Sequence, residues 1–232
     1  MKNTILIIAT LSICLITIVL GSYFDALAGK EKMQTTQVHI YPMVKTFIMP
    51  DEVTKLIKIK DSTSKNIDVI DLEKSLEQND YIRNAEVYKD LNGHLVAEVD
   101  QFHPIARIFS PTSSYYLDEN GVRKPLSEHY TEKVVLVYGA INSGQKNKII
   151  NLIKKIDQDK FLNDIVSEIH IKDNGIWLRT SQLSADIKID LKENLSDQFY
   201  KLKAIYTYLV KRQLKNKYRQ IDLRFENQAV CK

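Results

Sequence analysis

IRNAEVYKDLNGHLVAEVDQFHPIARIF, residues 82–109, holds two alternating runs around one tight turn and leads into a third extended run. Ala85, Val87 and Leu91 alternate with Glu86, Tyr88 and Asp90. After the turn, Leu95, Ala97 and Val99 alternate with His94, Glu98 and Asp100. A period of two means strands with one packed face and one wet face. Asn92-Gly93 is the pair that suits a two-residue hairpin turn, where both central residues need positive φ. Pro104 cannot donate to a ladder, so it marks the start or the edge of the following strand. The packed face of the hairpin needs a cover, and the preceding residues supply it. Pro50-Asp51-Glu52 opens a helix expected to run to Leu56-Ile57, with residues 58–66 as a loop. Asp68 caps a second helix carrying Leu72, Ser75 and Leu76, which Asn79-Asp80 ends. Val38, Ile40 and Tyr41-Pro42 suggest a strand ahead of both. The sum is a β-α-α-β-β unit over residues 37–109.

Residues 110–232 read differently. Tyr115-Tyr116-Leu117 leads into a turn at Asp118-Glu119-Asn120-Gly121, and Val134–Tyr138 is a strand ended by Gly139. Ile149, Leu152-Ile153 and Ile156 have the spacing of a short amphipathic helix. Three strands follow at Ile165–Ile171, Ile176–Thr180 and Ala185–Leu191, with a turn at Asp173-Asn174-Gly175. Phe199, Leu202, Ile205-Tyr206 and Leu209 mark a helix over about 196–215. Residues 221–230 close the chain as a strand. Its alternation directs Ile221, Leu223 and Phe225 to the core and Asp222, Arg224 and Glu226 outward.

At the N-terminus, residues 4–24 (TILIIATLSICLITIVLGSYF) carry no charge. A helix of that length spans roughly 31 Å at 1.5 Å per residue, enough for a hydrocarbon core. The anchor residues are Ile5, Leu6, Ile7, Ile8, Leu11, Ile13, Leu15, Ile16, Ile18, Val19 and Leu20, with Tyr23 and Phe24 at the interface. Residues 1–3 form a cytoplasmic stub and 25–36 a polar linker. A cleavable signal ending at Ala26-Leu27-Ala28 is the rival reading. Either way, the bulk of the chain lies outside the cytoplasm.

Composition narrows the function. The 232 residues are 44% hydrophobic and 27% charged with 7 Gly and 5 Pro, as in a folded protein. A net charge of +4 is too mild for a typical nucleic-acid binder. Cys14 and Cys231, one in the apolar segment and one at the tail, make no disulfide framework or metal-type pair. The five His residues are scattered, and no G-x-S-x-G, P-loop or HExxH occurs. Asp157 and Asp159 read as a polar helix end rather than a catalytic dyad. Lys211, Arg212, Lys215, Lys217 and Arg219 suit a helix C-terminus, with anionic lipid as the alternative. No catalytic residue, metal site or cofactor is expected.

Five stretches in order along the chain resemble the bacterial FtsQ/DivIB cell-division family: 71–108, YYLDENGVRKPLS (115–127), VVLVYGAI (134–141), FLNDIVSEIHIKDNGIWL (161–178) and YRQIDLRFENQAV (218–230). The resemblance implies an α+β protein with an N-terminal transmembrane helix and a POTRA-type β-α-α-β-β domain. A mixed β-domain ending in a helix and a strand follows. It implies a non-catalytic, single-pass inner-membrane scaffold, N-terminus in the cytoplasm and C-terminal domain in the periplasm, enriched at the division site. Its expected partners are of the FtsB and FtsL type, with FtsW and FtsI as further candidates, and neither nucleic acid nor a small-molecule substrate. Partner segments would add to the edge of the last strands, so Ile221, Asp222, Leu223, Arg224, Phe225 and Glu226 are the candidate contacts, and the hairpin edge is a second docking candidate. A POTRA-type periplasmic chaperone or transport accessory is the alternative.

Overall fold

The computed structural model describes residues 16–21, 36–63, 68–91, 94–191 and 194–232. Strand β1 (Gln37–Tyr41), helices α1 (Pro50–Thr63) and α2 (Val69–Glu77), and strands β2 (Ile82–Lys89) and β3 (Leu95–Gln101) form the first unit. Its sheet has the order β1-β3-β2, with β3 parallel to β1 and antiparallel to β2. Pro50 opens α1, and the Met49 N–H donates to the Glu52 carboxylate at 2.8 Å, as in half of a capping box. Asp68 caps α2 by accepting from the Ile70 N–H. Val53 and Ile57 of α1 and Leu72 and Leu76 of α2 sit one helical turn apart. They bury against Ala85, Val87, Leu95, Ala97 and Val99.

Several expectations need correction here. Helix α1 continues six residues past Ile57 to Thr63. Residues 51–63 contain neither Pro nor Gly, so nothing in the backbone stops it. Leu91 does not join the packed row, because β2 ends at Lys89 and leaves Leu91 fully exposed. Asn92-Gly93 lies outside the described residues. Strand β4 (Pro104–Phe109) does not belong with the hairpin: it pairs with β5 (Ser114–Asp118) and with β7 (Val135–Tyr138), in the other sheet.

That other sheet also contains β6 (Arg123–Lys124), β8 (Val166–Lys172), β9 (Gly175–Thr180), β10 (Asp186–Ile189), β11 (Gln220–Asp222) and β12 (Val230–Cys231). Its order is β12-β11-β10-β9-β8-β7-β4-β5-β6. Helices α3 (Lys146–Gln158), α4 (Lys160–Ile165) and α5 (Leu195–Lys211) complete the unit. Register aligns one row across seven strands: Ile108, Val137, Ile169, Leu178, Ile187, Ile221 and Cys231. This row shares one core with Ile149, Leu152, Ile153 and Ile156 of α3 and Phe199, Leu202, Tyr206 and Leu209 of α5. The next row carries Phe109, Tyr138 and His170, whose rings stack in sequence at 5.1 and 4.9 Å. Helix α4 was not expected; Asp159, read as a polar helix end, is its N-cap and accepts from the Leu162 N–H at 3.1 Å. Helix α5 ends at Lys211, so Lys215, Lys217 and Arg219 lie beyond it.

A two-residue step, Phe102-His103, joins the two sheets. Phe102 inserts between Phe47 and Tyr116 in a small aromatic core shared by both units. The buried Gln101 side chain accepts from the N–H groups of Phe47 and Ile48 and donates to the carbonyls of Tyr41 and Lys45. The second unit answers with Ser127 Oγ donating to the Phe47 carbonyl at 2.6 Å and Glu132 paired to Lys45 at 3.0 Å. Because β1 runs parallel to β3, Gln37 stands at the end of the small sheet farthest from this junction.

Residues 16–21 are helical, with Ile16, Ile18, Val19 and Leu20 exposed; the remaining anchor candidates, Ile5 to Leu15, lie outside the described residues. Among the described residues, no helix is long and apolar enough to cross a membrane. Cys14 and the Ala26–Ala28 segment also lie outside them.

Candidate partner-binding edge

The two sheets have four lateral edges, and they differ in what their backbone can offer. At β2, the outward N–H groups of Ala85 and Val87 are already taken. Glu77 Oε1 accepts the first at 3.3 Å and Glu73 Oε1 the second at 2.8 Å. Strand β6 is two residues long and runs into Pro125, which lacks a donor. Its Arg123 is folded over the Tyr115 ring at 3.8 Å. Strand β1 is five residues long and is followed by Pro42.

The fourth edge is β12. Gln220 and Lys232 exchange both backbone bonds, at 3.1 and 2.9 Å. In an antiparallel pair, bonded and non-bonded positions alternate. Ile221 and Cys231 are therefore a non-bonded pair, and the Cys231 N–H and C=O point away from β11. Cys231 thus presents one outward N–H and C=O at the rim of the large sheet, and an extended segment can pair with them. The Cys231 side chain meanwhile packs on the core, and burial pushes its thiol up from the ordinary range.

The expected strand over 221–230 is not continuous. It stops at Asp222, because β10 ends at Ile189 and gives the chain no neighbour beyond Leu223, whose N–H donates to the Lys188 carbonyl at 3.0 Å. Residues 223–229 then turn back through Asn227, at φ 55, a conformation Asn tolerates. The six candidate contacts thus divide. Ile221 and Leu223 are fully buried, as the alternation requires. Asp222 faces the opposite side from them, but it is also buried, under Arg224. The Arg224 guanidinium grips it at 2.9 and 2.7 Å and holds its carboxyl below the ordinary carboxylate range. Phe225, expected inward, is 45% exposed, because the strand has ended before it. Arg224 and Glu226 are exposed.

Sequence reasoning missed the residue that fixes this loop. Lys201, on α5 and with a side chain only 10% exposed, donates to the Phe225 carbonyl at 2.7 Å and pairs with Asp197 at 2.7 Å. Its spacing from Asp197 suggests only a helix-surface pair, and nothing local connects it to a loop 24 residues away. Lys201→Met should cost about 1 kcal/mol of stability. Amide exchange over residues 224–228 should accelerate by roughly tenfold, and Lys201→Arg should restore most of it.

His94 pairs with Asp90, His129 with Glu52 and His170 with Glu168, and among the described residues no group of three or more His, Cys, Asp or Glu side chains is placed to hold a metal ion. Trp177 lies between Lys172 and Lys188, at 5.5 and 4.9 Å from its ring.

Comparison with known families adds two findings. The family described as FtsQ/DivIB, C-terminal related, matches residues 103–232, and a POTRA-like domain matches residues 37–100. The gap between the matches falls where the chain steps from the small sheet to the large one. No curated protein matches the chain.

Proposed function

The chain belongs to the FtsQ/DivIB family of non-catalytic cell-division proteins, and from that premise we propose that it is a scaffold that joins division proteins outside the cytoplasm. Residues 4–24 anchor it in the inner membrane, with the N-terminus in the cytoplasm and residues 37–232 in the periplasm. The POTRA-like unit stands between that anchor and the large sheet, since Gln37 begins at the end remote from the junction. The large sheet captures partners of the FtsB and FtsL type. The observation that carries the reading is the outward backbone of Cys231 on the edge strand, together with an exposed Phe225 in the loop that leads to it. Main-chain pairing supplies affinity there, and Arg224, Phe225 and Glu226 supply selectivity. A chaperone or transport role has less support, because on the longest described edge strand, β2, the outward N–H groups of Ala85 and Val87 are already bonded within the chain.

Live imaging of a fluorescent protein that matures only in the cytoplasm, fused before Met1, tests the assignment. A band at midcell in constricting cells is the expected result. Uniform membrane signal would favour the transport reading, and loss of the tag with a mature chain starting near Gly29 would replace the anchor by a cleaved signal.

A further inference from the structure

Strand β2 is the last strand of the small sheet and, at eight residues, the longest among the described residues. An edge of that length invites pairing with a second copy of the same chain. Ala85 and Val87 are two apart, so the N–H groups they do not give to β3 point to the same side, away from it. Glu73 and Glu77 are four apart on α2, so they share one helix face. Four helical residues advance about 6 Å and two strand residues about 6.6 Å, so the two pairs match in spacing. They also match in direction. The earlier glutamate, Glu73, takes the later amide, Val87, and the later one, Glu77, takes the earlier amide, Ala85. Helix α2 therefore runs antiparallel to β2 and lays two acceptors along its rim.

We propose that Glu73 and Glu77 are an edge guard: they stand in for the missing fourth strand and keep β2 from pairing with a second copy of this chain. Two carboxylates can occupy the donors without offering a strand of their own, which a further β-strand could not do. Glu86 strengthens the block. In a two-fold antiparallel pairing centred between Ala85 and Val87, it would face its own copy, and like charges opposed across a ladder are unfavourable. The guard does not depend on which partner binds the other sheet, so it can fail without affecting that assignment.

The test uses amide exchange and sedimentation of the periplasmic part within the full chain in detergent. In Glu73→Ala/Glu77→Ala, the amides of Ala85 and Val87 should exchange roughly tenfold faster, as expected for a lost hydrogen bond to a charged acceptor. The amides of Glu86 and Tyr88 are the internal control for folding and should not change. Glu73→Gln/Glu77→Gln keeps an acceptor oxygen and should exchange like the natural chain. Adding Glu86→Thr to the alanine pair should produce a concentration-dependent dimer, while Glu86→Thr alone stays monomeric. Unchanged exchange at Ala85 and Val87 in the alanine pair would overturn the proposal. So would a triple variant that associates no more than Glu86→Thr alone.

Discussion

Cys231→Pro should weaken capture of a partner strand by roughly 50-fold while leaving the melting temperature within a few degrees. The reason is the direction of one N–H. Cys231 is a non-bonded position in the β11–β12 pair, so proline there removes an outward donor and no bond within the sheet. Its ring also occupies the space an incoming strand needs. A lost backbone bond and the steric block together cost about 2–3 kcal/mol of binding, at 1.4 kcal/mol per tenfold. Val230→Pro, one residue away, is the control. Val230 lies opposite Asp222 at a bonded position, so proline there should detach β12 itself and loosen the chain end. If both variants lose binding only through unfolding of β12, the edge is not the contact. Isothermal titration with a partner's periplasmic segment, read beside thermal melts, separates the two cases.

Gly139→Ala should be the most damaging single methyl addition in the large sheet. Gly139 adopts φ +114, which residues with a Cβ rarely occupy, and an added Cβ would stand 2.5 Å from the Ile171 carbonyl oxygen and 3.1 Å from the Ile171 Cβ. The neighbour is the backbone of β8, so it has no flexible end to move aside. Gly139 also donates to the Phe109 carbonyl at 3.1 Å, tying the end of β7 to β4. Conformational strain and the clash together should cost about 3–5 kcal/mol, lowering the melting temperature by roughly 10 °C. Gly144→Ala, with nothing within 4 Å of the added atom, should stay within about 0.5 kcal/mol of the natural chain.

The legible parts of the fold are those where one local rule decides. Ile149, Leu152, Ile153 and Ile156 repeat with a helical period, and all four are fully buried in α3. Asp68 and Pro50 punctuate helices that form where their chemistry puts them. Alternation in β2 separates the packed row from the wet one from Ala85 to Lys89, whereas in the central β3 the opposite row is half-covered and its Val96 is buried. What alternation cannot say is where a strand loses its neighbour. Leu223 and Phe225 look equivalent in sequence, yet β10 reaches only far enough to bury the first. Helix α4 was hidden because a single residue, Asp159, separates it from α3, and the apolar pattern runs on through Leu162 and Ile165.

The candidate site was legible as a region but not as a set of contacts. In the tail, the structure shows that the last strands form a sheet edge. The alternation gave Arg224 and Glu226 exposed positions, but it could not foresee that Arg224 folds back on Asp222. Sequence alone leaves the hairpin edge equally open. The bonds that occupy its Val87 and Ala85 amides come from Glu73 and Glu77, 14 and 8 residues away on a helix, a tertiary match that no periodicity encodes.

The most direct test of the account is amide exchange of residues 37–232 with and without a partner segment of the FtsB type. The account predicts new protection at Cys231, accompanied by the loop at 224–228, with Ala85 and Val87 unchanged. Protection appearing instead along β1, β2 or β6, with Cys231 exchanging as it does in the free chain, would contradict it.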